Sequence, residues 1–141
     1  MMVWTDRFRR GVLGSCALAM LGATAALYAA DLSVLRKVEP GLWDIQSRDV
    51  RDGGRTMCIA DPLVLTQLAH PGLACTRFVI SSTEDSVAVH YSCAGTGNGQ
   101  TDIRVETPRL VQIETQGMVR QTPFQWRYQA RRIGECSTPK K

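Results

Sequence analysis

The stretch "CTRFVISSTEDSVAVHYSC", residues 75–93, decides the fold. Apolar and polar residues alternate on both sides of "STED", residues 82–85. A period of two marks half-buried strands, and a cluster of Ser, Thr and Asp between two such runs marks a turn. With residues 82–85 as a four-residue hairpin loop, Ser81 pairs with Ser86, Ile80 with Val87, Phe78 with Val89 and Thr76 with Tyr91. That register gathers one continuous apolar face, and a slip of one residue would turn it to the wrong side.

The alternation continues through "QTDIRVET" (100–107), "RLVQIETQ" (109–116) and "TPFQWRYQAR" (122–131). Carried forward, the register sets Tyr91 and Val89 beside Ile103 and Val105, then Ile113 and Val111, then Trp126 and Tyr128. His90, Arg104, Glu106, Gln112, Glu114, Gln125 and Arg127 fall on the opposite, wet face. The predicted architecture is all-β, an antiparallel meander whose sheet is curled or barrel-like. "PGLWDIQS" (40–47) and "RTMCIA" (55–60) add two strands ahead of it, and residues 31–39 read as a lead-in. One short helix is predicted over "DPLVLTQLAHPG" (61–72), with Asp61 as N-cap, Pro62 at the first helical position and Pro71-Gly72 as the stop.

Residues 1–30 read as a secretory signal peptide. Arg7, Arg9 and Arg10 precede an apolar run from Gly11 to about Leu27, and small residues follow at Ala29 and Ala30. The run is too short and alanine-rich for a convincing membrane span, so cleavage is expected, with an uncleaved anchor as the alternative. Residues 31–141 then form a single domain of 111 residues with fourteen Lys/Arg and twelve Asp/Glu. So mild a balance gives no sign of nucleic-acid binding. Cleavage and export place the domain in the periplasm.

Four cysteines remain after the signal: Cys58, Cys75, Cys93 and Cys136. An even count in a small exported domain reads as two disulfides. A zinc site is disfavoured, because there is no Cys-x-x-Cys pair and His70 and His90 lie apart. The hairpin register puts Cys75 opposite Ser92, which argues against a Cys75–Cys93 bridge. The preferred pairing is Cys58–Cys75 with Cys93–Cys136, the second tying down the tail in "RRIGEC" (131–136); Cys58–Cys93 with Cys75–Cys136 stays open.

"PGLWDI", a Cys-Ile step before a proline-containing helix, a cysteine opening a hairpin, another after "VHYS" and the closing Gly-x-Cys of "RRIGEC" occur in a fixed order over residues 39–136. In that order the chain resembles a family of exported bacterial proteins catalogued as domain of unknown function 3617. The resemblance implies a small periplasmic β-rich protein and brings with it neither an activity nor catalytic residues.

Candidate chemistry is sparse. His70 in "AHPG" ends the helix, where a histidine favourably meets the negative pole. His90 with Glu106 is the one pair on which a His-dependent hydrolase would centre, and a solvated strand histidine is the simpler reading. "GTGNG" (95–99) is followed by a strand and not by the helix that phosphate cradles need, so it reads as a hairpin loop. Arg104, Arg127, Arg131 and Arg132 suggest a basic patch, with cross-strand ion pairs to Glu106 and Glu114 as the plainer account. One helix is little cover for five strands, so aromatic residues of the apolar face are the expected ligand site: Trp43, Tyr91, Trp126 and Tyr128. The expected function is non-enzymatic binding of a small apolar ligand or an envelope partner, with no cofactor and no metal. An inhibitor of a lysozyme-type envelope hydrolase is the alternative, by analogy with other disulfide-stapled β domains.

Overall fold

The structure, a computed structural model, describes residues 31–49 and 53–137. The expected signal segment lies outside the described residues. Seven strands form one antiparallel sheet in the order β2-β1-β7-β6-β5-β4-β3. They are β1 (Gly41–Ser47), β2 (Arg55–Ile59), β3 (Cys75–Ser82), β4 (Ser86–Cys93), β5 (Gly97–Thr107), β6 (Leu110–Val119) and β7 (Thr122–Gly134). The expected meander is therefore present as β3 to β7, and β1 docks on its far side against β7.

Two short 3-10 turns cover the apolar face, η1 (Ser33–Lys37) and η2 (Pro62–Gln67). The lead-in thus holds a helical turn of its own, and the expected helix is tighter and shorter than a regular α-helix. Its start follows the sequence: the Asp61 carboxylate accepts from Leu63 N–H at 2.9 Å, and Pro62 stands just inside. Val34, Leu35 and Val38 around η1 and Leu65 and Leu68 around η2 join Trp43, Ile45, Val87, Val89, Ile103, Val111, Ile113 and Ala130 in one core.

The sheet is curled but not closed, with β2 and β3 as its edges. Both edges reach η2. Arg55 of β2 donates to the Leu68 carbonyl at 3.1 Å, and Arg77 of β3 donates to Thr66 Oγ1 at 3.0 Å and to Gln67 Oε1. Thr66 and Gln67 are buried, so the Arg77 guanidinium supplies partners that buried polar groups require.

From β4 to β7 the predicted faces hold but the first pairs are shifted: Val87 lies across from Ile103, while the expected partners Val89 and Tyr91 lie across from Thr101 and Gly99. Ile103 then lies across from Ile113 and Ile113 from Tyr128. The first hairpin departs from expectation. Its loop sits one residue later, with Ser82 paired to Val87 and Thr83 N–H donating to the Ser86 carbonyl at 2.8 Å. Thr83 Oγ1 also accepts from Ser86 N–H at 3.0 Å, which fixes the turn there. A bulge between Val79 and Ser81 then adds one residue to β3. Below it Val79 opposes Val89, Phe78 opposes His90 and Arg77 opposes Tyr91. Phe78 and Ile80 therefore turn away from the core, at 69% and 46% exposure.

The same shift corrects the disulfides. Cys75 lies directly opposite Cys93, the two are bridged, and their Cα atoms are 4.3 Å apart. Cys58 is bridged to Cys136. The expected Cys58–Cys75 and Cys93–Cys136 pairing is thus wrong, because it rested on an unbulged hairpin. Cys136 still pins the tail, but to edge strand β2. Leu42 of β1 pairs with Cys58 on one side and Gly134 on the other, so the tail beyond Gly134 crosses the end of β1 to bring Cys136 within 5.4 Å, Cα to Cα, of Cys58.

Peptide mapping without reductant should recover Cys58–Cys136 and Cys75–Cys93 and no other link. Chain-entropy estimates give about 4.5 kcal/mol for the bridge spanning 78 residues and about 3 kcal/mol for that spanning 18. In denaturant titrations the Cys58→Ser/Cys136→Ser variant should therefore lose more stability than Cys75→Ser/Cys93→Ser; the reverse order would contradict the role given to the tail clasp.

Candidate functional site

β7 alternates so that Phe124, Trp126 and Tyr128 face the core side, while Gln125 and Arg127 face away. Ala130, further along the same face, is fully buried under the core cluster. Phe124, Trp126 and Tyr128 are only half-buried. They stand beyond the cover of η1 and η2, opposite Gly117, Thr115 and Ile113 of β6. The Phe124 and Trp126 centroids are 4.7 Å apart with planes tilted by 32°, and Trp126 meets Tyr128 edge-on at 6.3 Å. The Trp126 indole N–H donates to no described residue.

The ladder runs into a buried end. His70 contacts Phe124 edge-on at 6.2 Å and Tyr91 at 5.4 Å. Its Nδ1 lies 3.1 Å from the Tyr91 hydroxyl, and its buried Nε2 has no polar partner among the described residues. His70 ends the η2 segment as expected, but its ring is 2% exposed and bonds Tyr91, so its role is in the core. Glycine makes this packing possible. A Cβ on Gly99 would stand 2.6 Å from the Tyr91 hydroxyl, and one on Gly97 only 1.9 Å from the Met118 carbonyl oxygen. "GTGNG" is accordingly a hairpin whose last three residues already belong to β5. Burial raises the Tyr91 phenol above its usual range, so it stays protonated at neutral pH.

Of the four residues expected at a ligand site, the structure brings Trp126 and Tyr128 together on the open ladder. Trp43 and Tyr91 are fully buried, and the Trp43 indole N–H is already satisfied by the Glu39 carbonyl at 3.0 Å. Burial also raises the Tyr128 phenol, against the pull of the nearby Arg55 charge. Phe124 belongs with the pair. Its place at i−2 and i−4 from them in a period-two run was the sequence signal for it.

The opposite face carries a hollow of about 340 Å³ lined by Arg48, Ser86, Asp102, Arg104, Glu114 and Arg127, among others. Asp102, Glu114 and Arg127 form one cross-strand row. The expected ion pairs exist with altered partners. Arg104 bonds Glu106 at 2.9 Å on its own strand, and Arg127 bonds Asp49 at 2.6 Å rather than Glu114. Arg132 turns to the core side, where it reaches Glu135, the Pro40 carbonyl and Glu39, so the four arginines do not form one patch. His90 is exposed and pairs with Gln100, six positions from Glu106 along β5, a span of about 20 Å.

The Arg127 guanidinium, and then its backbone N–H, hold the Asp49 carboxyl below the usual aspartate range. A depressed carboxylate stabilises the fold above its unfolded pKa of about 3.9 and loses that contribution as pH falls through the native value. The stability difference between wild type and Asp49→Asn should stay constant above about pH 5 and shrink below about pH 4. The pair is exposed enough to be screened, so the difference should also fall with salt. Thermal melts across pH and salt check this; a difference that ignored both would mean Asp49 is not held by charge.

A family model described as "Protein of unknown function (DUF3617)" matches residues 38–136, which include all seven strands and both disulfides. No curated protein and no solved structure matches the chain. On the extent of that match, the chain belongs to the DUF3617 family of proteins of unknown function.

Proposed function

We propose that this domain is an exported, non-enzymatic binding protein of the periplasm, and that Phe124, Trp126 and Tyr128 form its ligand-facing surface. The carrying observation is Trp126: half-buried, flanked by two further rings, with an indole N–H that no described residue accepts. Such a strip offers flat apolar area with polar handles at its edges, which suits a small ligand with an apolar face. Export is supported by two disulfides, which persist in oxidising compartments, and by the arginine-led apolar segment at residues 7–27. No helix among the described residues is long and apolar enough to cross a membrane. The distance between His90 and Glu106 along the sheet favours binding over acid-base chemistry.

The test is a titration with an apolar fluorescent probe such as 8-anilinonaphthalene-1-sulfonate. Trp126 and the fully buried Trp43 are the two tryptophans of residues 31–141, so quenching of the exposed component reports Trp126. Binding should quench it, and Trp126→Ala should weaken the probe at least tenfold, about 1.4 kcal/mol, with the fold intact by circular dichroism. Equal affinity in the variant would refute the assignment.

A further inference from the structure

β3 is an edge strand with little to stop another strand from adding to it. On one side it pairs with β4, and on the other it pairs with no described strand. Edges are ordinarily protected by outward charges, proline, brevity or cover. The opposite edge has such protection: β2 has only five residues and is covalently tied to the tail through Cys58. β3 has eight residues, "CTRFVISS", and no proline. Its one charged side chain, Arg77, is turned to the core side and held by Thr66 and Gln67. The bulge blunts only the end near Ile80 and leaves Cys75 to Val79 in regular pairing. The outward positions are Thr76, Phe78 and Ile80, and Phe78 is more exposed than any other large apolar side chain among the described residues.

We propose that two copies of this chain associate through β3, pairing antiparallel about a two-fold axis so that one sheet runs through both. The free backbone groups specify an extended strand as the occupant. The side chains specify a strand that brings apolar groups to the outer face and no charge, and β3 itself meets both conditions. Antiparallel pairing about Phe78 sets Phe78 against its mate and Thr76 against Ile80 of the second copy. Phe78 and Ile80 of both copies then cover one another, and no like charges meet because Arg77 is engaged on the other face.

Sedimentation velocity of the full mature chain from about 1 to 200 µM, a range set to span weak strand pairing, should show a monomer–dimer equilibrium. Hydrogen exchange should show amides of residues 75–80 gaining protection as concentration rises. The Phe78→Lys/Ile80→Lys variant should raise the dimer dissociation constant at least tenfold. Both side chains are exposed, so its melting curve at low concentration should match wild type, and Phe78→Leu should keep the dimer. A monomer throughout the range, or a dimer that the double variant leaves intact, overturns the proposal.

Discussion

Two inward rows cross the sheet side by side: Val87, Ile103, Ile113 and Tyr128 in one, and Val89, Thr101, Thr115 and Trp126 in the next. Their alignment keeps the apolar face continuous over four strands, and the core exists only while it holds. The second row contains two threonines where apolar residues would be expected. They satisfy each other through a buried hydroxyl contact of 2.8 Å, so the row passes through the interior without an orphaned polar group. Next to it the glycines of β5 and β6 leave room for Tyr91, His70 and Phe124. One end of the interior is therefore filled by Tyr91, His70 and Phe124, and the other by Trp43 with aliphatic side chains from η1, β1 and β7.

The distinction bears on function. The core closes completely around Trp43 and Tyr91, whereas Phe124, Trp126 and Tyr128 on β7 are only half-buried. Aromatic side chains tolerate partial exposure because their edges and polar tips remain compatible with water. The open ladder on β7 is thus a consequence of where the cover stops. The face on the other side is polar between β4 and β7, and there Arg104 and Arg127 are engaged by Glu106 and Asp49 of the chain itself.

Much of the fold was legible in the residues. Strict alternation from Ser86 to Arg131 gave β4 to β7 their faces, and Asp61-Pro62 gave the start of η2. The docking of β1 on β7 was not legible, because it joins segments some ninety positions apart and no local pattern encodes which edge a strand will choose. The first hairpin misled for a different reason. Its apolar residues Phe78 and Ile80 alternate as a buried strand would, but Arg77 takes the core-side position by bonding the buried Thr66 and Gln67 side chains, and a bulge accommodates the shift. The disulfide pairing followed that error. Of the ladder, Trp126 and Tyr128 were readable from their spacing. The complete burial of Trp43 and Tyr91 depended on the placement of η1, η2 and the glycines.

The Cys58–Cys136 clasp has a kinetic implication. Consecutive hairpins from β3 to β7 form from neighbouring segments, so they are available early as the chain emerges. β1 has to wait for β7, the last strand to appear, before it gains a partner on that side. β1 can pair on that flank only once residues 128–134 are present, and the covalent tie that holds β2 to the tail waits for Cys136.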